Sequence, residues 1–237
     1  MDNVRSLSVA TRNGKSAPAT ASGAPLTMRT DPRSAAAEAF RTLAANLKFA
    51  SLDQAEVQTV GVTSPAAGEG KSTTIANLGI ALAESGRRVV LVDADLRRPA
   101  LHELFGLSNR EGLSSILTAD HTVLPLQETG TPGLRLLSSG PLPANPLQVL
   151  ASRGLDHALS QVRAQADVVL VDTPPAAVLA DAAMLAPRLD GVLLVVSVGR
   201  TRRDLARRAK EQLERTGSNV LGVVLVNARE NGKLYEY

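Results

Sequence analysis

One short run restricts what this chain can fold into more than any other: Ser64-Pro65-Ala66-Ala67-Gly68-Glu69-Gly70-Lys71-Ser72-Thr73-Thr74, between a β-rich stretch over 57–64 and a helical pattern over 71–85. A glycine-bearing turn that leaves a strand and opens a helix aims successive backbone N–H groups at one point, which suits a phosphate. Gly68 and Gly70 permit the tight backbone, Lys71 has the reach for β- and γ-phosphates, and the Ser72 hydroxyl suits the shell of a Mg2+ ion. Glu69 and Thr73 complete the set of candidate nucleotide-binding residues in the loop. The run departs from the GxxxxGK[ST] pattern at its first glycine, which Pro65 replaces. An ordinary strand-to-helix turn is the competing reading, and the order of strand, GK, Ser and helix weighs against it.

The rest of the chain repeats the same alternation. RRVVLVD ends at Asp93, ADVVLVD at Asp172, and GVLLVVSV and NVLGVVLVN follow, separated by helical patterns near 155–165, 180–186 and 201–216. Strands that read as unbroken Val and Leu runs are buried on both faces, so the expected class is α/β: a doubly wound, mainly parallel sheet with helices on both sides. Ligands in such sheets sit at the carboxyl ends of the strands, where the glycine loop, Asp93 and Asp172 all fall. An amphipathic helix is expected from Asp31, as cap, with Pro32 at its first position, through Phe40, Leu43 and Leu47 to about Ser51. Residues 1–30, polar and without periodicity, read as a flexible arm, 31–227 as one domain, and 228–237 as a tail.

After VVLV come two carboxylates, Asp93 and Asp95, spaced to share one side of the departing chain. Asp172 brings a third from another strand, as a metal partner opposite the loop would. Singly, a strand-end Asp is a cap or turn former; alongside GKST the three become candidates for Mg2+ and for proton transfer. Arg97 and Arg98 are positioned to offset phosphoryl charge or to anchor an acidic segment, with Arg97 the stronger candidate and a solvated charge the alternative for Arg98. Asn227, closing the last strand, is a candidate for the edge of an adenine or a plain turn residue. His102, His121 and His157 show no ligand spacing and read as structural, and the Arg-rich helix from Thr201 reads as a solvated face.

Composition removes several classes. The chain contains no Cys, which excludes disulfide frameworks and thiol catalysis, and its formal net charge of +3 is too small a field to argue for nucleic acid. No apolar run approaches a membrane span and the amino-terminal residues lack a signal-peptide core, so a cytoplasmic location is expected. Both tyrosines, Tyr235 and Tyr237, lie within KLYEY at the end of the sequence, a placement that asks for a reason.

The string DADLRRPALHELFGLSNREGLSSIL, with GEGKSTT upstream and GPLPANP and VVLVDTPP downstream, resembles the bacterial tyrosine kinases of capsule and exopolysaccharide synthesis, the CpsD, CapB and Wzc type. The resemblance covers about residues 33–228. It implies transfer of phosphate from Mg-ATP to tyrosine, with Asp93 as base, Lys71 and Arg97 beside it as catalytic groups, and Ser72, Asp95 and Asp172 at the metal, an exchange of roles between Asp93 and Asp95 being the alternative. It also implies autophosphorylation of Tyr235 and Tyr237 in trans, and a role in polysaccharide synthesis and export. Implied partners are a membrane-embedded activator of the polysaccharide co-polymerase type, which would hold the kinase at the inner face of the cell membrane, a cognate tyrosine phosphatase, and other copies of this chain. The family's ExxRxxR association motif is matched by Glu38 and Arg41 and broken at Ala44. Lys71→Met is expected to abolish transfer and to leave the fold intact.

Two other readings share the fold. A MinD- or ParA-type switch ATPase would carry a signature lysine early in the loop, where this chain has Ala66. A non-catalytic nucleotide-binding regulator of polysaccharide export would not need Lys71, Ser72, Asp93, Asp95 and Asp172 all intact. The lack of an NKxD run favours ATP over GTP.

Overall fold

The structure, a computed structural model, describes residues 6–8, 26–50, 57–118, 123–177 and 180–228. The Val- and Leu-rich runs form strands because β-branched side chains pack well on a pleated surface. Those strands are β2 (Thr59–Thr63), β3 (Val89–Asp93), β6 (Val168–Asp172), β7 (Gly191–Ser197) and β8 (Val220–Val226), joined by β1 (Ser6–Ser8), β4 (Gln127–Glu128) and β5 (Leu134–Leu137). Among the described residues they make one sheet in the order β1-β8-β7-β2-β6-β3-β5-β4, parallel except where β4 runs against β5.

The helices are α1 (Thr27–Thr30), α2 (Ala35–Ala50), α3 (Lys71–Glu84), α4 (Leu101–Phe105), α5 (Leu113–Thr118), α6 (Pro146–Leu150), α7 (Gly154–Arg163), α8 (Ala180–Leu185) and α9 (Arg203–Arg215). Alternate residues of a strand point to opposite faces, and the core divides accordingly. Val89 and Leu91 of β3, with Leu170 of β6, join Phe40 and Leu43 of α2 and Ile75 and Leu78 of α3 in one apolar cluster. Val90 and Val92, with Val169 and Val171, join Leu113 of α5 and Leu155 and Leu159 of α7 in another. Helices therefore cover both faces of a mainly parallel sheet, as the unbroken apolar strands imply.

The amino-terminal region differs from the expectation in two places. Residues 1–30 do not all stand apart from the domain: β1 pairs with β8, and α1 buries Leu26 and Met28 in the core, with the Met28 N–H donated to Asn77 Oδ1 at 2.9 Å. Asp31 ends α1 instead of starting α2, and Ser34 takes over the capping role, its Oγ accepting the Ala37 N–H at 3.2 Å. The reason is local: a hydroxyl three residues before Ala37 suits an N-cap, and Asp31 is already committed to the preceding turn. Ser51, Tyr235, Tyr237 and most of the tail expected over 228–237 lie outside the described residues.

Candidate active site

Strand order assembles the site. β6 lies between β2 and β3, with Val62 in register with Asp172 and Asp172 in register with Asp93. The loop after β2 and the carboxylates that end β3 and β6 thus meet at one edge, although Asp172 is 101 residues from Lys71 in the chain. Gly70, at φ 90°, is left-handed immediately before α3, and its carbonyl accepts the Thr74 N–H at 2.8 Å to open the helix. A side chain at this φ is strained, so the residue that launches α3 has to be glycine.

Lys71 is turned into the carboxylates. Its Nζ lies 2.9 Å from Asp95 Oδ2, 3.1 Å from Asp172 Oδ1 and 3.2 Å from Ser72 Oγ, with 9% of the side chain exposed. Burial pulls the Lys71 amine toward neutrality, but the charges of Asp172 and Asp95 outweigh it and hold the amine protonated, well above its ordinary range. Asp172 is wholly buried, and burial pushes its carboxyl above the usual range against the pull of Lys71. Its Oδ2 has no hydrogen-bond partner, with the Ser72 hydroxyl close by.

Those two groups provide the test for Mg2+. An unsatisfied carboxylate oxygen buried beside a hydroxyl is the hard oxygen pair this ion prefers, so Ser72 and Asp172 fit it. Among the described residues no three acidic or imidazole groups gather as an all-protein metal cage. Mg2+ at phosphates does not need one, because it retains waters and takes oxygens from the nucleotide.

Asp93 and Asp95 differ in position more than their spacing suggests. Asp93 Oδ2 accepts the N–H groups of Ala100 and Leu101 at 3.1 and 3.0 Å, and Oδ1 faces the Asp95 N–H at 3.3 Å. Burial, followed by the charge of Asp172, pushes its carboxyl up to about 7. It has the basicity of a proton acceptor at neutral pH, but it is sealed from solvent and bonded to the start of α4. Asp95 instead lines a cavity of about 640 Å³ together with Gly68, Gly70, Lys71, Ser72 and Thr73. The structure thus sets Asp93, the expected base, behind the cavity lining, with its oxygens engaged in organising the 93–101 segment.

Arg97 and Arg98 line the same cavity. Arg97 makes a fork-to-fork pair with Asp181 of α8, Nε to Oδ2 and a second nitrogen to Oδ1 at 3.1 Å. Asp181 is fully buried and was not among the sequence candidates, because a lone Asp at a helix start reads as a cap. The pair fixes where the Arg97 guanidinium can point. Arg98 is exposed, and its side chain has no ion-pair partner among the described residues.

Glu69 also differs from expectation, since its carboxylate turns inward. Oε2 accepts the Ala66 N–H at 3.1 Å and Oε1 accepts the Thr201 hydroxyl at 2.7 Å. Asn227 follows β8 at φ 56°, which Asn tolerates better than most residues, and donates from Nδ2 to Ser197 Oγ at 3.0 Å. Val226 packs 3.7 Å from where a Cβ on Gly70 would sit, so Asn227 leaves the sheet beside the loop. Glu38 and Arg41 lie on α2, where Arg41 pairs with Glu38 and with Glu84 of α3, both at 3.4 Å. Ala44, next in that motif, is buried. His157 is exposed and bonded to Gln161, His102 Nδ1 is buried without a partner, and His121 lies outside the described residues.

The family description "ParA: NUBPL iron-transfer P-loop NTPase" matches residues 56–229. Tyrosine-protein kinase YwqD of Bacillus subtilis (strain 168) is 40% identical over 209 residues, covering 88% of this chain and 87% of the relative. The crystal structure of the chimerical protein CapA2B2 matches with a TM-score of 0.85 at 33% identity, covering 96% of each chain. The kinase domain of Escherichia coli tyrosine kinase ETK matches with a TM-score of 0.85 at 26% identity, over 99% of this chain and 95% of that one.

Proposed function

This chain belongs to the family of bacterial tyrosine kinases, within the ParA-type P-loop NTPases, and from that premise we propose that it transfers the γ-phosphoryl group of ATP to tyrosines of its own tail. The observation that carries the reading is Lys71 held between Asp95, Asp172 and Ser72 beneath the glycine loop, at the edge of a cavity lined by Arg97 and Arg98. Iron transfer is not part of it: the chain has no Cys, the thiolate by which iron–sulfur groups are held. The switch-ATPase reading is disfavoured by Ala66 in place of the signature lysine.

Each group has a distinct task. Backbone N–H groups of the loop, with Gly68, Gly70 and Thr73, receive the phosphates, and Lys71 swings from the carboxylates to the β- and γ-phosphates. Ser72 and Asp172 would hold Mg2+, which would supply positive charge against the phosphates. Asp95, facing the cavity, accepts the proton of the tyrosine hydroxyl, while Asp93 holds Asp95 and α4 in place. Arg97, locked by Asp181, meets charge that develops on the transferred group. Asn227 reads the adenine edge.

Tyr235 and Tyr237 are the acceptors, and transfer runs between subunits brought together through the α2 face bearing Glu38 and Arg41. The activity serves polysaccharide synthesis and export, with a membrane-embedded co-polymerase as activator and docking site and a tyrosine phosphatase as its counterpart. Among the described residues no helix is long and apolar enough to cross a membrane. The test mixes a Lys71→Met chain that keeps its tyrosines with an active chain carrying Tyr235→Phe and Tyr237→Phe, in γ-labelled ATP and Mg2+. Label on tyrosine of the inactive chain supports the reading. Wild-type protein that never acquires phosphotyrosine, with or without activator peptide, overturns it.

A further inference from the structure

The loop after β7 touches the phosphate loop at two successive residues. Arg200 donates a guanidinium N–H to the Gly68 carbonyl at 2.8 Å, and Thr201 donates its hydroxyl to Glu69 Oε1 at 2.7 Å. The other Glu69 oxygen accepts the Ala66 N–H, so one carboxylate spans the turn from 66 to 69 and ties it to a neighbouring strand. The relay continues: Thr201 Oγ1 accepts the Ser197 N–H at 2.9 Å, and Ser197 Oγ accepts from Asn227 Nδ2 at 3.0 Å. Ala66, Glu69, Thr201, Ser197 and Asn227 thereby connect the phosphate side of the site to the strand end beside it.

Glu69 needs explaining because it is 4% exposed and makes no ion pair among the described residues. A buried carboxylate inside a loop shaped for phosphates opposes their charge, so a neutral side chain would serve better unless the carboxylate does mechanical work. Hydrogen bonds to an ionised acceptor are roughly twice as strong as neutral ones, and Glu69 makes two in opposite directions. Gly68 completes the fit: a Cβ there would lie 3.2 Å from an Arg200 guanidinium nitrogen, at a φ of +74°.

We propose that Thr201, assisted by Arg200, is a positioning residue for the nucleotide, holding Glu69 and the Ala66–Gly70 backbone in the shape that accepts phosphates. This rests on the nucleotide site proposed above and adds a determinant of its affinity that lies outside the glycine loop.

The experiment measures the Kd of a fluorescent ATP analogue with Mg2+, and KM for ATP and for a tyrosine peptide. Thr201→Val should weaken nucleotide binding roughly tenfold, the loss of one hydrogen bond to a charged group. It should raise KM for ATP and leave KM for the peptide near wild type, and Thr201→Ser should restore both. Arg200→Gln, at an exposed position, should give a smaller loss, about threefold. Thr201→Val added to Glu69→Ala should cost little more than Glu69→Ala alone, because losing the carboxylate already removes the bond to Thr201. Wild-type affinity in Thr201→Val and Arg200→Gln, or losses from Glu69 and Thr201 that simply add, would overturn the proposal. Wild-type protein that binds no nucleotide would overturn the nucleotide site itself.

Discussion

Lys71→Met, the natural choice for an inactive kinase, should be a stability mutation as well. In the absence of nucleotide the amine is the counter-charge of a buried cluster: Asp95, Asp172 and Asp93 have side chains almost or wholly inaccessible to solvent, and all three act on the lysine. Methionine keeps most of the stem volume, so the packing change alone costs less than about 1.5 kcal/mol. Removing the charge is the larger effect, because breaking a buried ion pair from one side costs about 3–5 kcal/mol. For a domain of this size that is a fall of roughly 6–20 °C in thermal midpoint. The pH dependence carries the signature. The Lys71 charge lowers the affinity of Asp93 and Asp172 for protons, so without it both carboxyls rise further above their unfolded values. A raised carboxyl pKa favours the folded state at low pH and loses that contribution as pH climbs through it. The gap between wild type and variant should therefore be large near pH 8 and shrink by about pH 5.5, where protons replace the missing cation. Thermal melts of apo protein at both pH values, with Lys71→Met/Asp95→Asn as a partial rescue, make the measurement. A Lys71→Met midpoint equal to wild type at the higher pH, or a loss independent of pH, refutes the argument and restores the expectation of an undisturbed fold.

Asp93 should titrate near 7 against an ordinary 3.8, so its contribution to stability is lost between about pH 4 and 7, at most on the order of 4 kcal/mol, and Asp93→Asn should flatten that slope in denaturant titrations. Asp95→Asn should lower kcat by about 100-fold or more with a small change in ATP affinity, as expected of a proton acceptor; a larger kcat loss in Asp93→Asn, measured on protein shown to be folded, would return that role to Asp93. Asp181→Asn should free Arg97 and reduce kcat roughly tenfold while ATP still binds, and an unchanged kcat would separate Arg97 from the reacting phosphate. Asn227→Ala should narrow the preference for ATP over GTP in competition binding, and an unaltered ratio assigns Asn227 to the strand end alone.

Most of the architecture was legible because parallel strands buried on both faces leave an unmistakable trace: the runs ending at Asp93, Asp172 and Val226 contain almost nothing but Val and Leu. The glycine loop was legible for a comparable reason, since backbone that must turn at Gly70 and open a helix admits few residues. Proximity in sequence hides differences that the fold creates. Asp93 and Asp95 look equivalent two residues apart, yet one is sealed under α4 and the other lines the cavity. Asp31 looks like the cap of α2 because its own partner, α1, is only one turn long.

The sequence by itself determined the class of fold, the loop, and the inventory of acids and bases near it, because these depend on local periodicity and backbone conformation. Strand order was decided only in three dimensions: placing β6 between β2 and β3 brings Asp172 within 3.1 Å of Lys71 and makes three carboxylates share one charge. The pairing of Arg97 with Asp181 and the brace from Thr201 to Glu69 were decided in the same way. Each joins segments more than 80 residues apart, and contacts at that separation follow from how helices and strands pack, which no local pattern in the chain encodes.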